Sequence, residues 1–212
     1  MSKIIAIMLL LCCGMMLFGC ADDNGRRKAE QQKTIVVTDS VGRKVELPYP
    51  LERVAVCNVY NAELITAVGA IDKIVGVDNY IFKDQSGFKN RFNEAQVFGI
   101  SQNAMNYEKL AELAPQAVII TGEGTWRDAQ EMLDRFGIKV IVINSYYTDQ
   151  FADNCRLIGR IFGREEQAEE LVNYFNDKLA YIQKQLQGVP RRSLYFEYRT
   201  LGKTAVPGDY FY

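Results

Sequence analysis

Four short apolar runs set the strongest limit on what this chain can fold into: RVAVC at 53–57, KIVGV at 73–77, AVIIT at 117–121 and KVIVIN at 139–144. Each is apolar nearly throughout rather than alternating, which is the pattern of a strand covered on both faces. Segments of helical spacing lie between them. NAELITAVGA (61–70) carries Leu64, Ile65 and Val68 and stops at Gly69. NYEKLAELAP (106–115) is ended by Pro115, and WRDAQEMLDRFG (126–137) closes on Gly137. FKNRFNEA (88–95) reads as a further short helix. Apolar strands alternating with helices indicate an α/β fold, here a Rossmann-like lobe built on a parallel sheet. Ligands of such sheets meet the carboxyl ends of the strands. The loops at 57–61, 78–82, 99–106, 121–126 and 144–148 are therefore where a site is expected.

The flanks differ from this rhythm. TIVVTDSVGRKVELP (34–48) reads as a hairpin turning at Asp39-Ser40-Val41-Gly42. TDQFADNCRLIGRIFG reads as one helix, with Phe151, Cys155, Ile158 and Phe162 on one face. Glu165 to Gln187 reads as a long second helix of about 35 Å. Leu171, Phe175, Leu179, Ile182 and Leu186 recur along it at threes and fours, with glutamates early and Lys178 and Lys184 late, as the helix dipole favours. RRSLYFEYRT (191–200) reads as a strand with Leu194, Phe196 and Tyr198 on one face. A long helix followed by one strand looks like the opening of a second α/β unit. The expectation is a truncated second lobe, of which only the first strand is present.

The start of the chain has its own pattern. Met1 to Lys3 carry one positive charge, and Ile4 to Phe18 are almost purely apolar. That run is shorter than the roughly 20 residues a membrane-spanning helix needs. A basic start, a short apolar middle and small residues before a cut mark a secretory signal. Leu17-Phe18-Gly19-Cys20 is similar to the bacterial lipobox, in which the cysteine takes the lipid and becomes the new N-terminus. Residues 1–19 are then a lipoprotein signal peptide, with Cys20 the attachment point. Residues 20–33, polar and charged, are a flexible tether. An ordinary signal cut elsewhere, or an N-terminal anchor helix, are the other readings.

Charge and composition exclude several classes. The chain has 25 basic and 26 acidic residues, a balance that does not suggest nucleic acid, which favours a basic face. It has no histidine at all, which removes Ser-His-Asp and Cys-His catalysis and histidine metal ligation. Cys57 and Cys155 remain beyond the signal and Cys20. They either pair in an oxidising compartment or act as small buried hydrophobes.

Taken in order, the lipobox, the tether, VTDSVGRKVELPYPLERVAV, AELITAVGAIDKIVGVDNY, NYEKLAELAPQAVIIT, a long helix and YFEYRT with TAVPG resemble one known family. These are the helical-backbone periplasmic binding proteins, the substrate-binding lipoproteins of ABC importers for ferric siderophores, haem and cobalamin. The resemblance covers residues 34–212. It implies two Rossmann-like lobes joined by one rigid helix, with ligand between them. Residues 34–148 would be the N-terminal ligand-binding lobe, 149–188 a helical linker containing the interlobe helix, and 189–212 the start of the C-terminal lobe. It implies an extracytoplasmic protein, lipid-anchored to the cell membrane, with no enzymatic activity and no cofactor. Its partners would be an ABC permease dimer with a cytoplasmic ATPase, and its ligand a small-molecule metal chelate. Glu108, in Asn106-Tyr107-Glu108, matches the N-lobe glutamate that docks onto permease arginines. It equally suits its own helix N-terminus.

For ligand contacts the strand-end loops offer Tyr60, Tyr80, Trp126, Tyr146 and Tyr147. Flat amphipathic rings give contact area to a large chelate at little entropic cost. Asn58, Gln102 and Asn103 offer amide donors, and Arg199 a partner for an anionic ligand. Two other readings stand beside this one. A Rossmann-like enzyme is suggested by Gly122 and Gly124 in TGEGTW, although the third glycine of a dinucleotide fingerprint is missing. A truncated or degenerate lipoprotein, binding a protein partner or without function, is the other.

Overall fold

The four apolar runs become neighbours in one parallel sheet. In this computed structural model, which describes residues 33–190, β1 (Thr34–Thr38) and β2 (Lys44–Pro48) form a separate antiparallel hairpin. The main strands are β3 (Val54–Val56), β4 (Ile74–Val77), β5 (Ala117–Ile120) and β6 (Lys139–Val142), in the order β4-β3-β5-β6. All three pairings are parallel. The helices are α1 (Val59–Ala67), α2 (Asn79–Lys83), α3 (Tyr107–Leu113), α4 (Trp126–Asp134), α5 (Phe151–Phe162) and α6 (Glu165–Gln185). The chain is thus α/β, as the strand pattern requires.

Alternate residues of each strand enter two different cores, because strand side chains point to opposite faces. Val54, Val56, Ile119 and Ile141 pack with Leu64 and Ile65 of α1, Ile158 of α5 and Val172 of α6. Ala55, Cys57, Val118, Ile120 and Val140 pack with Leu110 of α3 and Leu133 of α4. All three residues of β3, at the centre of the sheet, are fully buried. Its two valines each contribute about 1.5–3 kcal/mol on burial. Cys57 and Cys155 lie in these separate cores, both buried and free, so the pairing reading is corrected: the sheet stands between them.

The hairpin is fastened to β6 at the sheet edge. Asp39, buried at its turn, accepts from Arg43 Nη2 at 2.7 Å and from the backbone N–H of Val142 at 3.3 Å. The Ser40 N–H donates to the Val142 carbonyl at 2.9 Å, and Arg43 Nη2 to the Val140 carbonyl at 3.1 Å. An edge strand that would otherwise offer open backbone groups is partly closed in this way.

Most helix ends fall where local chemistry sets them. Asn106 caps α3 by accepting the Lys109 N–H at 2.8 Å, and Ala114 ends it in a left-handed conformation. Gly163, also left-handed, separates α5 from α6. Those two helices pack closely at Gly159, where an added Cβ would lie 2.5 Å from the Cβ of Ala168. The stretch 88–95 is not the expected helix. Asn90 takes a φ of +60°, and Asn93 caps a 3-10 turn at Glu94–Gln96 instead. Phe88 and Phe92 are buried there as a ring pair 5.9 Å apart, so their spacing of four reflects a packed loop.

The long helix is real, with 21 residues, or about 31 Å. Ala168 and Val172 are buried, and Phe175 stacks on Phe151 with ring centres 4.1 Å apart. Beyond that point Leu179, Tyr181, Ile182 and Leu186 are exposed. Among the described residues no helix is long and apolar enough to cross a membrane. The signal, Cys20, the tether before Lys33, the 191–200 strand and Arg199 lie outside the described residues.

Candidate functional site

The loops after β3, β4, β5 and β6 leave from one edge of the sheet, because all four strands run the same way. Hydrogen bonds tie them to one another. The Asp78 carboxylate, directly after β4, accepts the backbone N–H of Asn58 at 3.0 Å and that of Ile81 at 3.0 Å. It thereby caps α2 and joins the β3 loop to the β4 loop. Asp78 is 2% exposed. Burial raises its pKa above the ordinary carboxylate value, and the N–H donors only partly offset this.

On the other side, Asn144 accepts the Gly122 N–H at 2.7 Å, joining the β5 and β6 loops. Its own N–H donates to Ser40 Oγ at 3.1 Å, and its carbonyl accepts from Asn154 Nδ2 at 3.0 Å. Ser145 Oγ donates to Asn61 Oδ1 at 2.6 Å, and Asn61 Nδ2 donates to the Cys57 carbonyl at 3.2 Å. The strand-end platform is therefore cross-linked by amides and hydroxyls. These residues escaped the sequence reading, although a polar residue closing an apolar run, as in VGVDN and VIVIN, was the available signal.

The expected contact residues divide into two groups. Gln102 is committed internally through both ends of its amide, and Asn58 through its oxygen. Asn58, at φ +76°, accepts the Tyr60 N–H at 3.0 Å and caps α1. Gln102 Oε1 accepts both the N–H and the hydroxyl of Thr121, at 3.0 and 2.8 Å, while its Nε2 donates to the Glu123 carbonyl. Asn103 is exposed and accepts weakly from Thr125 Oγ1 at 3.4 Å. Trp126 has guanidinium groups over its ring, Arg43 at 4.3 Å and Arg127 at 4.1 Å from the centroid. Tyr60 and Tyr80 present themselves to solvent, 54% and 64% exposed. Tyr146 and Tyr147 are half-buried, with ring centres 4.2 Å apart. Tyr146 donates to Glu123 Oε1 at 2.9 Å. Burial, then the bonds to Tyr147 and Glu123, raise the Tyr146 pKa far above the usual phenol value.

From Tyr60 and Ser145 an open groove of about 270 Å³ runs between α1 and the side chains of Phe151 and Leu171. The strand-end loops hold Asp78 and Glu123 but no lysine or arginine between 57–61, 78–82, 99–106, 121–125 or 144–148. Among the described residues no three His, Cys, Asp or Glu side chains come together as metal ligands. Glu108 stands apart from this surface chemistry, exposed in the first turn of α3.

A sequence profile of the periplasmic binding protein family matches residues 54–212. No curated protein matches the chain. Among solved structures, a periplasmic solute binding protein from Veillonella parvula is 27% identical with a TM-score of 0.62, covering 74% of this chain and 50% of that one. Staphylococcus aureus SirA complexed with staphyloferrin B is 20% identical at a TM-score of 0.60, covering 73% and 51%. The Haemophilus influenzae molybdate periplasmic binding protein MolA, bound to molybdate, is 21% identical at 0.60, covering 74% and 55%. The chain spans about half the length of these solved relatives.

Proposed function

Since the chain belongs to the periplasmic binding protein family, we propose that it is the solute-capturing part of an ABC importer. It works outside the cytoplasmic membrane and holds its ligand at the carboxyl edge of the β4-β3-β5-β6 sheet. The observation that carries this is the cross-linked platform of Asp78, Asn58, Gly122 and Asn144, which fixes four loops at one edge and leaves tyrosine rings facing out. Rigid support under a ring-bearing rim suits binding rather than bond-making. It is a binding protein and not an enzyme, consistent with its family and with a chain lacking histidine.

The finer reading is that the ligand is a metal chelate, a ferric siderophore, haem or cobalamin, contacted by Tyr60, Tyr80, Tyr146, Tyr147, Asn103 and Trp126. SirA carries staphyloferrin B and MolA carries molybdate, so shared architecture admits quite different ligands. The aromatic rim of this chain favours the larger chelate over a small oxyanion. Residues 34–148 are the N-terminal lobe, 149–188 the linker to a second lobe, and 189–212 the beginning of that lobe, with Arg199 offered as a partner for an anionic ligand. Cys20 bears the lipid, residues 1–19 are removed and 20–33 act as the tether. Glu108 engages an arginine of the permease, whose dimer is driven by a cytoplasmic ATPase.

The test is a calorimetric titration of the chain with ferric chelates, haem and cobalamin. Saturable heat with one of them supports the reading. Absence of binding to every chelate, from protein with an intact cooperative melt, overturns it.

A further inference from the structure

The apolar face of α6 continues past the point where its own lobe covers it. Leu171 and Phe151 line the groove that opens beside Tyr60 and Ser145, and Phe175 stacks on Phe151. Leu179, Ile182 and Leu186 extend that face at spacings of three and four, and Val189 follows. These last four are 41–57% exposed. Groove and stripe thus form one apolar strip, from the carboxyl edge of the sheet to the end of α6. A contiguous open strip of this kind is a surface that another element covers.

The chain itself supplies a cover that fits in length, pattern and charge. Gly188, at φ +78°, ends α6 in a left-handed turn, the Val189 N–H closes on the Leu186 carbonyl at 3.1 Å, and Pro190 cannot continue the helix. Leu171 to Leu186 spans about 23 Å of helix. The ten residues 191–200 span about 33 Å when extended, so they reach from the end of α6 back to the groove. Leu194, Phe196 and Tyr198 alternate along them, which gives an extended segment one apolar face. Glu63 is the one charged residue lining the groove, and it has no ion pair or hydrogen bond among the described residues. The arriving chain is basic: residues 191–203 hold four cations, Arg191, Arg192, Arg199 and Lys203, against Glu197 alone.

We propose that residues 191–200, outside the described residues, dock as an extended segment antiparallel to α6. Leu194, Phe196 and Tyr198 then cover Leu186, Ile182, Leu179 and the groove beyond them. A segment joined to the strip by a short turn meets it at an effective concentration of about millimolar. A second copy of the chain matches that only in solutions as concentrated, so the chain's own segment is the favoured occupant. The carboxyl end of the segment arrives at the sheet edge where Tyr60 and Ser145 stand. The docking needs no ligand, so it stands or falls apart from chelate binding.

The experiment is limited trypsin digestion of the full chain, followed by mass spectrometry of the C-terminal fragments. Cleavage after Arg199 requires the docked segment to open, so its rate follows the open population. Leu179→Gln/Ile182→Gln/Leu186→Gln removes the strip and keeps a strong helix former at each position. It should speed that cleavage by at least about tenfold. Phe196→Gln, which lies outside the lobe, should do the same from the other side of the contact. A retained cooperative melt shows that the lobe is intact in each variant. Equal cleavage rates in the three proteins overturn the inference. So does light scattering that shows a dimer which the triple variant dissociates, because a second copy would then cover the strip.

Discussion

The carboxylate of Asp78 accepts the backbone N–H of Asn58 at 3.0 Å, so the loop leaving β4 holds the loop leaving β3. Its second oxygen accepts the Ile81 N–H, also at 3.0 Å. One buried side chain thereby sets the positions of both Tyr60 and Tyr80 relative to the sheet.

Asp78→Asn tests that relationship. The amide keeps one acceptor but turns a donor toward the other N–H, leaving a buried group unsatisfied at a cost of about 1–3 kcal/mol. Urea denaturation should show this loss near neutral pH. The pH dependence should change as well. Burial raises the folded-state pKa of Asp78, so as pH rises the unfolded chain ionises first. Stability from this group is therefore fully present below the unfolded value and falls as pH climbs through the window up to the raised folded value. The variant should lack that acid-side component. An identical pH profile in both proteins would contradict it.

How much of this was legible beforehand follows from the range of each interaction. β3 to β6 were readable because continuous apolar runs carry their own signal. The helix start near Asn106 and the turn at Asp39 to Gly42 are local and were also readable. The sequence offers Asn58 and Gln102 as amide donors to a ligand, and the Asn58 oxygen serves its own helix start. Gln102 is spent on Thr121, a residue 19 positions away that only the fold brings near. The Phe88 and Phe92 spacing mimicked a helix because two rings in a packed loop can also recur at four. Asp78 and Asn144 were overlooked because their partners lie on neighbouring strands.

Asp39→Ala should be among the more damaging single changes in the hairpin. The carboxylate is fully buried, bonded to Arg43 Nη2 at 2.7 Å and to the Val142 N–H at 3.3 Å. Removing it takes one partner from a guanidinium that keeps the Val140 carbonyl, and leaves a buried edge-strand N–H unsatisfied, at a cost of about 1–3 kcal/mol. Chemical denaturation measures this directly. Because Arg43 also lies over the Trp126 ring, the same variant should shift tryptophan emission in the native state. Unchanged stability would show that the hairpin does not brace β6.

Glu108→Arg separates capture from delivery. Glu108 is exposed in the first turn of α3, and Asn106 supplies the cap, so the fold should not depend on it. Under the docking proposal, chelate affinity is expected to stay the same while stimulation of the permease ATPase is lost. Normal stimulation by the variant would remove Glu108 from the docking surface.

The central claim is that ligand is held at the carboxyl edge of the parallel sheet. Hydrogen–deuterium exchange of the chain with and without a saturating ferric chelate tests it most directly. The account predicts slower exchange confined to the loops at 57–61, 78–82, 99–106, 121–126 and 144–148, with the outer faces of α3 and α4 unchanged. Protection on those helix faces with none in the strand-end loops would contradict it.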